Sequence, residues 1–280
     1  WPDIVLGSKT GPKVYLNQRG NFSAHLLNLD LPESSQDSFV VALVDLNNDG
    51  WLDLFFSTYG HGNFVLWNDN GSLADSRPVP LPGNDKALVT LSAAFYDVDQ
   101  NSTLDWVDGN FSFGFPLFYY QKTAPLELQR NSFVLNQNGR FSASPLAGTP
   151  GETLTTLFSK MIPGQGVQLY VGNDYDAADL IYGIKDGRPA LLSKGEHPFT
   201  NAPWDTMSVD TGDLNNDLIL DSFISSSTEV FSAKDNVPEI YYRAPLANVA
   251  QKHEPELCAQ IHSPVDRERC DNLAADIQSR

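Results

Sequence analysis

Asp45-Leu-Asn47-Asn-Asp49-Gly-Trp-Leu-Asp53 decides the fold, because the same oxygen-bearing residues recur at the same offsets in two further nonapeptides. Residues 97–105 and 213–221 share its pattern, which reads D-x-[DN]-x-[DN]-x-x-x-D. Calcium takes roughly six to eight oxygen ligands. Side chains at positions 1, 3 and 5 of a tight loop can converge on one point. A backbone carbonyl at position 7 and the carboxylate at position 9 would then complete the shell.

Each loop therefore predicts one structural calcium site, about three in the chain. The flanking residues 39–44 and 54–56 are β-branched, aromatic or otherwise apolar, which predicts strands. An EF-hand is excluded, because its loop closes with Glu at position 12 and lies between helices. The predicted ligands are Asp45, Asn47, Asp49, Trp51, Asp53, Asp97, Asp99, Asn101, Thr103, Asp105, Asp213, Asn215, Asp217, Ile219 and Asp221, the position-7 residues through their carbonyls.

An Asp/Asn-rich hairpin without metal is the alternative for a single copy. Three copies that all close with Asp at position 9 favour metal. The second loop lacks the glycine of Gly50, and the third has Leu218 in its place. We therefore expect unequal affinities.

The repeat extends beyond the acidic loops. The position that Asp53 occupies can be followed along the chain at residues 3, 53, 105, 168 and 221. A strand, an Asn/Asp-Gly turn and a second strand recur after these positions, at residues 14–22, 65–73 and 133–141 and more weakly at 181–187 and 240–242. Residues 160–166 have lost the carboxylates, so we expect no metal there. A period of about 50 residues with about four strands predicts propeller blades.

These segments resemble the FG-GAP/VCBS repeats, a family of calcium-loop propellers that includes integrin α-subunit heads and many secreted bacterial proteins. Residues 171–176 and 207–217 are most similar to the cartilage-acidic-protein branch (CRTAC, ASPIC/UnbV-associated). The resemblance implies an all-β propeller over residues 1–244. At least five blade units are present, the first without its opening strand, and the resemblance implies a ring of six or seven.

The last residues have a different composition. Residues 245–280 predict a helical C-terminal extension, and Ser263-Pro264 reads as the start of its second helix. Cys258 and Cys270 fall one on each predicted helix. A disulfide across this hairpin is the first interpretation, and two buried free thiols are the alternative.

The charge balance excludes some partners. The 280 residues include 35 acidic and 18 basic ones, for a formal net charge of −17. Such a surface argues against nucleic acid and against anionic lipid. The sequence lacks an apolar run near the roughly 20 residues of a membrane helix, so no membrane insertion is predicted. Weak calcium loops fill near millimolar calcium, which predicts an extracellular or periplasmic protein.

Catalytic motifs are not found, and the histidines show no metal or nucleophile spacing. The sequence favours a non-catalytic binding or scaffold module that recognises a protein or a glycan. A polysaccharide lyase or hydrolase and an accessory subunit of a larger secreted assembly stay open as alternatives. The enzyme would gain support if His61, Asp174, Asp176 and the aromatic residues 111–120 met in one cleft.

Overall fold

The computed structural model describes residues 1–23, 37–73, 76–83, 89–111, 130–174, 177–197, 199, 206–217 and 219–226. All regular elements within these ranges are strands, so the all-β prediction is confirmed there. The predicted helical extension, with Cys258 and Cys270, lies outside the described residues. Within the described ranges, no helix is long and apolar enough to span a membrane.

The strands form five antiparallel sheets that follow one another along the chain, here named blades 1 to 5. Blade 1 contains β1 (Ile4–Leu6), β2 (Lys13–Gln18) and β3 (Asn21–Ser23). Blade 2 contains β4 (Ser38–Val44), β5 (Asp53–Thr58), β6 (Gly62–Leu66) and β7 (Val79–Leu81). Blade 3 contains β8 (Val89–Tyr96), β9 (Asp105–Phe111), β10 (Ser132–Gln137) and β11 (Arg140–Pro145). Blade 4 contains β12 (Glu152–Ser159), β13 (Gln168–Asp174), β14 (Leu180–Lys185) and β15 (Arg188–Leu191), and blade 5 contains β16 (Thr206–Gly212) and β17 (Asp221–Ser226).

The sheets confirm the predicted repeat. The residues equivalent to Asp53 open the second strand of their sheets, at Asp105 for β9, Gln168 for β13 and Asp221 for β17. In blade 1, Asp3 directly precedes β1, and the described sheet has three strands. That the first unit lacks its opening strand stays a prediction. The fold is therefore propeller-like, and the closed ring of six or seven blades stays a prediction.

The first strands of successive blades lie side by side. β4 packs against β8, β8 against β12, and β12 against β16. Hydroxyl groups join β8 to β12 and β12 to β16, since the Ser92 and Thr156 hydroxyls are 2.8 Å apart and those of Ser159 and Thr211 are 2.7 Å apart. This order of edge strands is the one that a propeller places around its axis.

The core lies between neighbouring blades, because the central strands β5, β9 and β13 bury both of their faces. Phe55 packs with Trp106 of blade 3, whereas Leu54 and Phe56 pack with Val14 of blade 1. Successive side chains of a strand point to opposite faces, so one strand can serve two interfaces. A single blade could not bury both faces alone, which is why the repeats need their neighbours.

Candidate metal centre

Three acidic loops connect the first strand to the second in blades 2, 3 and 5, and are named loop 1 (residues 45–53), loop 2 (97–105) and loop 3 (213–221). Their backbones turn in the same way. The fourth residue has a positive φ in each, at 58° for Asn48, 60° for Gln100 and 61° for Asn216. Such values are uncommon outside glycine, and Asn tolerates them better than most residues. The sequence repeat is therefore a repeat of conformation.

The side chains of loop 1 are held by backbone amides of the same turn. Asp45 accepts from the amides of Asp49 at 3.1 Å and Gly50 at 2.9 Å. The side-chain oxygen of Asn47 also accepts from the Asp49 amide, at 3.1 Å. Oδ1 of Asp49 in turn accepts from the Trp51 amide at 2.8 Å. Positions 1, 3 and 5 thus direct their oxygens into the turn, as the calcium prediction requires.

Loop 2 repeats this arrangement with different residues. Asp97 accepts from the amides of Asn101 at 3.0 Å and Ser102 at 2.9 Å. Asp99 accepts from the Asn101 amide at 3.2 Å, and Asn101 accepts from the Thr103 amide at 2.7 Å. Ser102 has a φ of 72°, close to the 89° of Gly50 in loop 1. The serine therefore adopts the turn that glycine adopts more easily.

In its described residues, loop 3 repeats the bonds donated by the amides of positions 5 and 7, and it is more exposed than loop 2. Asp213 and Asn215 each accept from the Asp217 amide at 3.0 Å. Asp217 accepts from the Ile219 amide at 2.8 Å. Asn215, Asp217 and Ile219 are all exposed, whereas the equivalent residues of loop 2 are half-buried or buried.

The aspartate at position 9 closes each loop from the strand side. Asp105 is buried and accepts from the amides of Val98 at 2.9 Å and Asn136 at 2.7 Å. Burial raises the pKa of Asp105 to about 6, against the lowering effect of these two hydrogen bonds. The negative charges of Asp99 and Asp97 raise this pKa further. A bound cation would offset the same repulsion.

Asp53 has the same surroundings in loop 1. It is buried and accepts from the amides of Leu46 at 3.0 Å and Asn68 at 2.9 Å. Burial is again the main cause of its raised pKa. In loop 3, Asp221 accepts from the Leu214 amide at 2.9 Å.

Loop 2 brings three carboxylates closest together. One oxygen from each of Asp97, Asp99 and Asp105 lies within 4.8 Å of the others. In the described part of the chain, these form the one group of three acidic, histidine or cysteine side chains that could hold a metal ion. The donors are all hard oxygens, the type that calcium and magnesium prefer. The residues of loop 2 therefore fit the predicted ion.

Blade 4 keeps the hydrogen bond of position 9 without a carboxylate. Oε1 of the buried Gln168 accepts from the Ile162 amide at 2.8 Å, where the other blades use an aspartate oxygen. Gln168 is therefore the structural equivalent of Asp53, Asp105 and Asp221, as the sequence predicts. That this blade binds no metal stays a prediction.

Three asparagines hold the position-9 aspartates: Asn17 on β2, Asn136 on β10, and Asn68, which lies two residues after the end of β6. Sequence reasoning identified their strand-turn segment but missed this contact. The sequence did carry a signal for this contact, because an asparagine lies three residues after the first residue of each of the segments 14–22, 65–73 and 133–141. The amides of Asn17, Asn68 and Asn136 donate to Asp3, Asp53 and Asp105 at 2.7, 2.9 and 2.7 Å, and their side chains donate to the carbonyls of Pro2, Leu52 and Leu104.

A second acidic cluster, residues 173–179, could by its sequence be an extra metal or ligand site or a turn with Asx caps. Its described part is bonded into the core. Asp179 is buried and accepts from the Asn173 amide at 2.7 Å, from the Tyr170 hydroxyl, and from the Thr206 hydroxyl at 2.6 Å. These contacts favour the interpretation of Asp179 as a turn cap over that of a ligand site. Asp174 ends β13. Asp176 lies outside the described residues.

The remaining candidates for a cleft are only partly described. His61 is exposed in the turn between β5 and β6. Phe111 ends β9, and residues 112–120 of the aromatic stretch lie outside the described residues. The enzyme therefore stays an untested alternative.

Comparisons with known proteins support the repeat. The family model described as FG-GAP-like repeat matches residues 1–56 and 45–107, which cover blades 1 and 2 and reach into blade 3. Among solved structures, the chain is similar to an Agrocybe aegerita lectin described as specifically recognising non-reducing terminal N-acetylglucosamine. The identity is 14% and the TM-score 0.49, over 81% of this chain and 58% of the lectin. This chain thus spans less than two thirds of that lectin. No curated protein matches the chain in sequence.

Proposed function

We propose that the chain is a non-catalytic binding or scaffold module of a secreted protein, in which structural calcium ions occupy loops 1, 2 and 3. The observation that supports it best is the hydrogen-bond arrangement common to the three loops, which directs side-chain oxygens of positions 1, 3 and 5 into each turn. Because one oxygen from each of Asp97, Asp99 and Asp105 lies within 4.8 Å of the others, loop 2 is the best supported of the three proposed sites.

The loops explain why an ion would be structural. Bound calcium supplies positive charge to turns that concentrate carboxylates, and its binding energy adds to the free energy of folding. The loops join the first two strands of their blades, and their position-9 residues are buried at the base of β5 and β9. Ordering a loop therefore fixes the relative position of two strands. Weak calcium loops of this kind would fill only near millimolar calcium, which is the reason for proposing an extracellular or periplasmic location.

The ligand surface would lie elsewhere than on the calcium loops. At the start of β4 and the end of β5, Phe39 and Tyr59 are 45% and 39% exposed, with ring centroids 6.1 Å apart. The exposed His61 follows in the next turn. Exposed aromatic rings beside polar groups are suited to contact a protein or a sugar ring. These residues support recognition of a protein or glycan as the role of the module.

Calcium titration tests this proposal directly. The purified protein should bind about three calcium ions in isothermal titration calorimetry, and its melting midpoint should rise with calcium and fall with EGTA. The matched control is the triple variant Asp45→Asn, Asp97→Asn and Asp213→Asn, which keeps side-chain volume and should lose the calcium-dependent rise. A wild-type midpoint that is equal in calcium and in EGTA would overturn the proposal.

A further inference from the structure

One asparagine connects loop 1 of blade 2 to loop 2 of blade 3. The side-chain amide of Asn136, on β10, donates to the carbonyl of Leu46 at 2.7 Å and to that of Leu104 at 3.1 Å. Leu46 is the second residue of loop 1, and Leu104 is the eighth residue of loop 2. Asn136 itself is fully buried, so these bonds do not compete with water.

The backbone of Asn136 is also hydrogen-bonded to loop 2. Its amide donates to Asp105 at 2.7 Å. Its carbonyl accepts from the side chains of Thr103 at 2.7 Å and Asn101 at 2.8 Å. Asn101, Thr103 and Asp105 hold positions 5, 7 and 9 of loop 2. Any change in the shape of loop 2 therefore reaches the backbone of Asn136.

The connection ends on the equivalent aspartate of loop 1. The amide of Leu46 donates to Asp53 at 3.0 Å, while the carbonyl of the same residue accepts from Asn136. Asp53 and Asp105 are therefore joined through two residues, Leu46 and Asn136. Leu46, Asp53 and Asp105 are also fully buried, so the whole chain of hydrogen bonds is shielded from solvent.

We propose that Asn136 is a positioning residue that makes calcium binding at loops 1 and 2 positively cooperative; this inference rests on the proposed function. An ion that orders loop 2 holds Asn136, which in turn holds the Leu46 carbonyl and orders loop 1. By thermodynamic linkage, an ion in loop 1 strengthens binding at loop 2 by the same factor. One well-placed hydrogen bond corresponds to a coupling of about 3- to 10-fold.

Direct repulsion between the two ions would act in the opposite direction. It would make the second ion bind more weakly than the first, and added salt would reduce the effect. The sign of the coupling therefore separates the hydrogen-bonded connection from simple electrostatics. The measurement should be made at about 0.15 M salt, where charges are screened beyond about 8 Å. Under these conditions the contribution of the hydrogen bonds to the coupling outweighs that of ion–ion repulsion.

The test compares the two sites alone and together by calcium calorimetry. All samples carry Asp213→Asn, which silences loop 3. Adding Asp97→Asn leaves loop 1 alone, and adding Asp45→Asn leaves loop 2 alone. The product of the two binding constants with both loops intact, divided by the product of the single-loop constants, should be about 3 to 10. A ratio of one or less overturns the coupling while leaving calcium binding intact. Loss of calcium binding in the wild type would overturn the proposed function as well.

Asn136→Ala should bring the ratio of the binding-constant products to about one. If the alanine variant does not fold, Asn136→Ser is measured in its place and should give the same result. The matched control is Asn68→Ala. Asn68 has the same place in blade 2, but its side chain donates to Leu52 of its own blade and, within the described residues, to no other acidic loop. Asn68→Ala should weaken loop 1 and leave the ratio unchanged. A ratio that persists in the Asn136 variants overturns its assignment.

Discussion

The backbone amide of Ile162 donates a 2.8 Å hydrogen bond to Oε1 of Gln168, the same bond that aspartates accept in blades 2, 3 and 5. The neutral side chain shows that this bond has a structural role of its own, apart from any ion. Under the proposed function, a carboxylate is needed at this position only where the loop also carries acidic residues at positions 1, 3 and 5. Strand positioning and the proposed metal binding would thus be separate properties of one residue position.

Gln168→Ala should lower the free energy of unfolding by about 1–3 kcal/mol, because the buried Ile162 amide would lose its acceptor. The loss should be the same in calcium and in EGTA, as measured by urea unfolding. Asp105→Ala is the matched comparison, and its cost should be larger in calcium than in EGTA. A calcium-dependent cost for Gln168→Ala would instead indicate an ion in blade 4.

The three loops should differ in affinity, with loop 2 the tightest and loop 3 the weakest. Loop 2 has three carboxylates within 4.8 Å, and its positions 3, 5 and 7 are half-buried or buried, whereas those of loops 1 and 3 are exposed. Loops 1 and 3 differ at position 9, where Asp53 is buried and Asp221 is half-buried. Asp97→Asn should therefore reduce the calcium-induced rise in melting midpoint most, and Asp213→Asn least, with Asp45→Asn between them. Equal losses for the three variants would show that burial does not set the affinity.

The sequence predicted the repeat unit well, because the signals lie within about 60 residues. The nonapeptides placed Asp53, Asp105 and Asp221 at the start of second strands, and the apolar residues after Gln168 located the same position without a carboxylate. Alternation of side chains along short strands is a local property, so it is readable from the chain.

Contacts between blades were not predictable in this way. The bond from Asn136 to Leu46 joins residues 90 positions apart, and the bond from the Thr206 hydroxyl to Asp179 joins blade 5 to blade 4. A period specifies the members of each sheet but not the rotation and spacing between sheets. The sequence alone therefore left Asp179 open between a ligand site and a turn cap, and the bonds that it accepts within the core favour the cap.

Alkaline pH should destabilise the protein through Tyr170. Burial raises the pKa of its hydroxyl well above the ordinary value, and the neighbouring charge of Asp179 raises it further. The unfolded state loses this proton at about pH 10, before the folded state does. Stability from this group is therefore fully present below about pH 10 and is lost as the pH rises further toward the folded-state pKa.

Tyr170→Phe should reduce this alkaline loss, measured by urea unfolding between about pH 8 and pH 11. A residual loss is expected, because burial also raises the pKa of Tyr182. At pH 8 the variant should be about 1–3 kcal/mol less stable, because Asp179 loses a donor. Tyr59→Phe is the control, since its ring is exposed, and it should change stability little. Identical alkaline slopes for wild type and Tyr170→Phe would contradict the assignment.

The packing of blade 4 against blade 5 can be probed at Gly172, in β13. A Cβ added there would lie 2.5 Å from Cγ2 of Thr155 and 2.6 Å from Cγ2 of Thr206, the latter in blade 5. Gly172→Ala should therefore cost about 1–3 kcal/mol through overpacking. Gly212→Ala, in β16, is the matched control, because an added Cβ meets no described atom within 4 Å. The control should be neutral or slightly stabilising, since alanine restricts the unfolded chain. Equal free energies of unfolding for the two variants would mean that β13 and β16 do not approach as closely as the structure shows.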